Sequence, residues 1–279
     1  MNPLVTTEWL AAEMGKSDVR VIDATLFMDG SGRDARAEFE AAHIPGAVFF
    51  DVDEVSDPSS DLPHMLPPPE KFASRMQALG LGDGSRIIVY DNSPLKSSAR
   101  AWWMLTLFGA HEVAILDGGF AKWQAEGRSV ESGKPIVRHR HFTVWADKSL
   151  VRDQKQMTEN LRTKAEQVVD ARSAGRFTGT EPEPRAGLRG GHIPGSKNLP
   201  FTELFNDDGT YKPVSEIAAA FKAVGIDPAK PLVATCGSGI TASVLSFAAA
   251  LLGHKKVAVY DGAWSEWGAS ASNPVVTGA

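Results

Sequence analysis

A single sulfur nucleophile is available to this chain. Cys236 is the only cysteine among 279 residues, and it opens the run Cys236-Gly237-Ser238-Gly239-Ile240-Thr241-Ala242-Ser243. A thiolate can attack sulfur or carbon, but only where its negative charge is supported. The glycines allow a sharp turn whose backbone N–H groups converge on one point. The apolar run before the cysteine, Pro231 to Thr235, reads as a buried strand, and residues 240–252 read as a long apolar helix. That places the sulfur at the carboxyl end of a strand and before a helix N-terminus, which favours negative charge. The competing reading is a buried core cysteine, the commonest fate of a free one. Position alone leaves the two open.

Composition narrows the class. An apolar content of 43% is that of a globular protein. The formal net charge of -5, without a basic tract, gives no nucleic-acid footprint. One cysteine excludes an internal disulfide and a thiolate-cluster metal site, so no metal or other cofactor is expected. A lone thiol fits a reducing compartment. Met1 to Leu10 has neither the basic nor the apolar region of a signal peptide, so a cytoplasmic location is expected. The apolar run 240–252 is too short to span a bilayer, so no membrane partner is expected.

The chain is a duplication. Val21-Ile22-Asp23-Ala24 echoes Val168-Val169-Asp170-Ala171, and His43-Ile44-Pro45-Gly46 echoes His192-Ile193-Pro194-Gly195. Ile87 to Asp91 echoes Leu232 to Cys236, and Asp117-Gly118-Gly119 echoes Asp261-Gly262-Ala263. The offsets lie between 144 and 149 residues, which means two homologous domains rather than a short solenoid repeat. In each half, short apolar strands alternate with helical patterns. This predicts an α/β fold, each half a mostly parallel sheet flanked by helices, with ligands gathering at strand carboxyl ends. The expected layout is one domain over 1–135, a linker over 136–150 within a polar non-periodic stretch, and a second domain over 151–279. Asp91 stands where the other half has Cys236, and Asn92-Ser93-Pro94-Leu95 lacks the Gly-x-Gly pattern. If the cysteine does chemistry, only the second domain is active, and the first is a structural partner that walls the cleft.

These motifs resemble the rhodanese-family sulfurtransferases in their tandem two-domain form, over nearly the whole chain. The loop Cys-Gly-Ser-Gly-Ile-Thr is similar to that of the mercaptopyruvate-using branch, with Ile240 replacing a valine. Thiosulfate-using members place basic residues after the cysteine, where this chain has Gly237 and Ser238. The resemblance implies two tandem rhodanese-like domains and transfer of sulfur from 3-mercaptopyruvate, through a Cys236 persulfide, to cyanide, a small thiol or a thioredoxin-like dithiol. It implies that Arg176 and Arg185 hold the carboxylate and ketone of the substrate, and guanidinium forks suit a planar α-keto acid. The other reading of these arginines is surface pairing with Glu181 or Glu183.

Cys236 is the expected nucleophile. The backbone of Gly237, Ser238, Gly239, Ile240 and Thr241 would cradle its charge. Ser238 is a candidate hydrogen-bond donor to substrate, or else a helix cap; Thr241 is expected to bond within the turn. A proton relay through Ser238, His43 and Asp34 is one option implied by the family. Because both halves carry the histidine motif and only one the cysteine, a shared packing role for His43 and His192 is favoured. The alternative activity is thiosulfate sulfurtransfer. A cysteine phosphatase would need an arginine six residues past the cysteine, where Ala242 stands, and a non-enzymatic binding module would lack the cysteine.

Overall fold

The computed structural model describes residues 1–278. They fall into two compact units. One comprises Met1–Pro58, Leu66–Asp147 and Asn206–Tyr211; the other comprises Ser59–Met65, Lys148–Phe205 and Lys212–Ala279.

In the first unit β1 (Leu4–Val5), β2 (Val19–Asp23), β3 (Val48–Phe49), β4 (Arg86–Tyr90) and β5 (Glu112–Leu116) form one sheet in the order β1-β5-β4-β2-β3. In the second, β6 (Val151–Arg152), β7 (Gln167–Asp170), β8 (Lys197–Asn198), β9 (Leu232–Thr235) and β10 (Ala258–Tyr260) form another, in the order β6-β10-β9-β7-β8. Every ladder in both sheets is parallel, so the sheets go beyond the mostly parallel expectation. The central strands are continuous apolar runs because helices cover both faces.

The duplication extends to packing. Val21, Ile44, Ile88, Ala114, Phe120 and Trp123 lie in the core of the first unit. Their counterparts Val168, Ile193, Val233, Ala258, Trp264 and Trp267 lie in the core of the second. The helices that follow the two central strands, Ser98–Leu107 and Ala242–Leu251, are buried along almost their whole length, as mostly apolar sequences require, although the first also buries Arg100. The latter helix begins at Ala242 rather than at Ile240, which leaves Gly237 to Thr241 as a free-standing loop at the end of β9. No helix among the described residues is long and apolar enough to cross a membrane.

Candidate active site

The loop after β9 is anchored by its carbonyls and open at its amides. Trp264 N–H donates to the Cys236 carbonyl at 2.9 Å. The Gly237 carbonyl accepts from Ser265 N–H at 2.9 Å and from Ser265 Oγ at 2.7 Å. Ser243 Oγ donates to the Gly239 carbonyl at 2.9 Å. Gly239 takes the left-handed backbone, φ 81°, which a side chain would strain. With the carbonyls tied back, the N–H groups of Gly237, Ser238, Gly239, Ile240 and Thr241 donate to no other group among the described residues. All but Thr241 belong to buried residues. A buried N–H without an acceptor costs about 1–3 kcal/mol, so the loop is built to receive an anion. Cys236 lies at its mouth, 2% exposed.

Arg176 reaches this loop. It lies on a short helix, Ala174–Thr178, capped by the Ser173 side chain; the sequence pattern, broken by prolines further on, reads there as loop. A Cβ on Gly237 would meet Arg176 Nη2 at 2.9 Å, so the absence of a side chain at Gly237 makes room for the guanidinium. Arg176 does pair with Glu183, at 2.6 Å, as one reading of the sequence has it. That pair is not superficial, because the Glu183 side chain is 1% exposed. Arg185, half-buried two residues further on, makes no hydrogen bond or ion pair among the described residues.

Behind Arg176 stands a group the sequence reading does not include. Arg172, fully buried, bonds to Asp170 at 2.7 Å and to Glu183 at 2.7 Å, and its guanidinium lies 4.2 Å from the centroid of the Trp264 ring. Burial opposes its charge, but Asp170 and Glu183 outweigh that and hold its pKa above the ordinary value. The signal for it was half-specific: Arg172 follows the Val-Val-Asp-Ala landmark, where the first half has Thr25. Ala263, in the left-handed region at φ 50°, is another such residue. Its counterpart Gly119 also has positive φ.

The histidines occupy equivalent, packed positions. His43 Nδ1 bonds to the Phe39 carbonyl at 2.7 Å and its ring stacks on Phe39. His192 Nδ1 bonds to the Phe177 carbonyl at 2.8 Å and its ring stacks on Phe177. Asp34 caps the helix Ala35–Ala41 by accepting from Ala37 N–H, and it makes no hydrogen bond to His43. Ser238 is buried, and its hydroxyl makes no hydrogen bond among the described residues. The structure thus brings together Cys236, the loop amides and Arg176. It does not join His43 to Asp34.

A cysteine at the tip of a strand, followed by a loop of unpaired amides in the second of two duplicated parallel-sheet units, defines the class. The chain belongs to the Rhodanese-like domain family, which matches it twice, over residues 6–126 and 153–270. Among individual relatives, it is 45% identical over 270 residues to the 3-mercaptopyruvate sulfurtransferase of Mus musculus, covering 95% of this chain and 91% of that one. It is 42% identical over 271 residues to the thiosulfate sulfurtransferase of Cricetulus griseus, covering 95% and 91%. The crystal structure of SseA from Escherichia coli, described for the "Rhodanese" fold and catalytic mechanism of 3-mercaptopyruvate sulfotransferases, superposes with a TM-score of 0.86 at 40% identity, covering 95% of this chain and 99% of that one.

Proposed function

We propose that this protein transfers sulfur from 3-mercaptopyruvate to a thiol or cyanide acceptor through a persulfide on Cys236, releasing pyruvate. The observation that carries this reading is the pairing of a lone thiol with a loop whose amides have no acceptor and whose side chains bear no charge. The Cys236 thiolate attacks the donor sulfur. The carbon–sulfur bond breaks, and its electron pair passes to carbon as the enolate of pyruvate, which takes a proton. An acceptor thiolate or cyanide then attacks the outer sulfur of the persulfide and returns Cys236 as thiolate. The loop amides support negative charge in both steps. Arg176 and Arg185 hold the carboxylate and ketone, and Ser238 supplies a hydroxyl toward substrate. Ser238 suits the proton step better than a His43–Asp34 relay, since Nδ1 of His43 and the Asp34 carboxylate are engaged elsewhere. A thioredoxin-like dithiol can take the same acceptor role by the same attack on the outer sulfur, and a single free thiol fits the cytosol as the compartment.

Thiosulfate is the second donor to consider, because a relative of 42% identity is named for it. A thiosulfate dianion bound beside the cysteine calls for nearby cations; the side chains of the loop supply none, and Arg176 beside it is already paired with Glu183. Intact mass after adding mercaptopyruvate without acceptor tests the proposal. A gain of one sulfur on Cys236 with release of pyruvate is expected; thiosulfate producing that gain while mercaptopyruvate does not would replace the proposed donor.

A further inference from the structure

Each unit carries a surface pocket in the same place. In the first it lies between the end of the helix Thr7–Glu13, β2 and Pro45-Gly46, with a volume of about 340 Å³. In the second it lies between the helix Gln154–Thr163, β7 and Pro194-Gly195, with a volume of about 360 Å³. The linings differ in charge. The first holds Lys16, Arg20 and Arg140 and no acidic residue; the second holds Lys164 with Glu166 and no arginine. Gln167 stands in β7 where Arg20 stands in β2. Its amide is satisfied at both ends by the Asp227 backbone, at 2.8 and 3.0 Å.

Arg20 and Arg140 converge. Arg20 Nη2 donates to the Ser17 carbonyl at 3.0 Å, and Arg140 Nη2 reaches the same oxygen at 3.5 Å. The other bonds of the Arg20 guanidinium go to the Gly80 and Val19 carbonyls, which are dipoles and not charges. The nearby acids are engaged elsewhere: Glu13 with Lys16 and Arg86, Asp18 with Arg86, and Glu131 with Gly46 N–H. Burial and the adjacent Arg140 pull the pKa of Arg20 below its ordinary value, against the opposing charge of Asp18. The strap that carries Arg140 is seated by two glycines. A Cβ on Gly82 would meet the Arg140 Cβ at 2.7 Å, and one on Gly80 would meet the Arg138 carbonyl at 2.9 Å. Asp83 N–H ties the strap down through the His141 carbonyl at 2.9 Å.

We infer that this pocket of the first unit binds a phosphate group, held by the guanidinium forks of Arg20 and Arg140 with Lys16 at its edge. Like charges held together without a carboxylate between them repel, and a dianion with several oxygens satisfies both forks where one carboxylate satisfies one. The pocket falls within the size range of small-molecule sites, so free phosphate and a phosphate monoester both fit the chemistry. It draws on no residue of the Cys236 loop, and the inference stands apart from the sulfur-transfer reading.

The test is calorimetric titration of the full chain with inorganic phosphate and with glycerol 3-phosphate, at constant ionic strength. Saturable binding to the wild-type protein is expected. Arg20→Gln, which copies the residue of β7, is expected to weaken it by about tenfold or more. Arg140→Ala is expected to weaken it by about three- to tenfold, less because Arg140 is exposed. The Arg140 side chain bonds only to Ser17 among the described residues, so this variant carries the test if Arg20→Gln does not fold. Arg176→Ala, beside the reactive loop, is expected to leave the binding in place. Tighter binding of glycerol 3-phosphate than of phosphate identifies a monoester as the ligand; equal or weaker binding identifies free phosphate. Absence of saturable binding, equal affinity in Arg140→Ala and wild type, or loss of binding in Arg176→Ala overturns the inference.

Discussion

The two units end their central strands in opposite electrostatic states. After β9, Cys236 is followed by loop amides that have no acceptor among the described residues. After β4, Asp91 occupies the same place, and its own carboxylate fills the loop. Oδ1 accepts from Ser93 N–H at 2.9 Å, and Oδ2 accepts from Ser98 N–H at 2.7 Å. Asn92 N–H goes to Thr25 Oγ1, and Ser93 Oγ donates to the Leu26 carbonyl. The outer anchor is the same in both units: Phe120 N–H donates to the Asp91 carbonyl at 3.0 Å, as Trp264 N–H does to that of Cys236. One scaffold therefore supports either a satisfied loop or a receptive one, and the difference rests on whether the strand-end residue brings its own anion.

The strand ends differ behind the loop as well. Buried Asp23 has no arginine beside it and bonds with Tyr90 and Thr25. Burial pushes its pKa up to about 6, against the pull of those hydrogen bonds. Asp170, its counterpart, is gripped by Arg172. The residue corresponding to Tyr90 is the much smaller Thr235, which pairs in register with Asp170. An aromatic hydroxyl in one unit is thus exchanged for a guanidinium in the other, and only the latter continues through Glu183 to the reactive loop.

The sharpest way to break the contrast is Cys236→Ser, which removes the nucleophile from the receptive loop. Sulfur transfer, followed as pyruvate release, is expected to vanish while the fold persists; activity above a small fraction of wild type would remove Cys236 from its role. Adding Asp91→Cys to that variant should not restore turnover, since the first loop lacks the glycine pattern. It should also orphan two buried amides at about 1–3 kcal/mol each, read by chemical denaturation.

Next in size is Asp170→Asn, which strips a carboxylate from a fully buried arginine. Breaking a buried pair costs about 3–5 kcal/mol, and with Glu183 still on Arg172 the lower end is expected in urea unfolding. Replacing Arg176 or Arg185 by Ala is expected to lower kcat/KM for mercaptopyruvate by about ten- to a hundredfold. Tm should change little for Arg185, which has no partner among the described residues, and fall for Arg176, whose loss leaves the buried Glu183 with Arg172 alone. Unchanged kinetics in both variants would return these arginines to a structural role. Ser238→Lys adds a cation to the loop and is expected to move the donor ratio toward thiosulfate by about tenfold. Gly237 is the poorer place for that cation, because any side chain there displaces Arg176.

The smallest effect concerns Asp23. Its folded pKa lies above the ordinary carboxylate value, so the stability it confers is full below about pH 4 and is lost as pH rises through about 6. Raising the pH across that window is expected to cost the fold about 1–3 kcal/mol from this group. Asp23→Asn should flatten that part of a stability–pH profile; an unchanged slope would place the titration elsewhere.

Much of this was legible in the sequence because duplication repeats landmarks. The paired Asp-Ala, His-Ile-Pro-Gly and Asp-Gly motifs locate both sheets, and the strand–cysteine–glycine–helix order locates the loop. Three features were not legible. Strands of two residues, such as β1 and β8, lack the length to show a period. Glu183 reads as a solvent-facing charge among prolines, and only three-dimensional packing puts its carboxylate between two arginines. The filling of the first loop by Asp91 depends on side-chain reach, which spacing does not encode.

The unsatisfied amides of the second loop also link chemistry to folding. A resting protein that buries donors without acceptors is less stable than it would be with them paired. On the proposed mechanism a sulfane sulfur on Cys236 carries the negative charge further into the loop than the resting thiolate does, so the sulfur-charged intermediate would act as a ligand specific to the native state. Each amide satisfied contributes on the order of 1 kcal/mol, which for a domain of this size corresponds to about 2–4 °C in Tm. Loading with donor in the absence of acceptor should therefore raise the melting temperature, and discharge by cyanide should lower it again. On this account turnover would be a cycle of thermal stability as well as of sulfur.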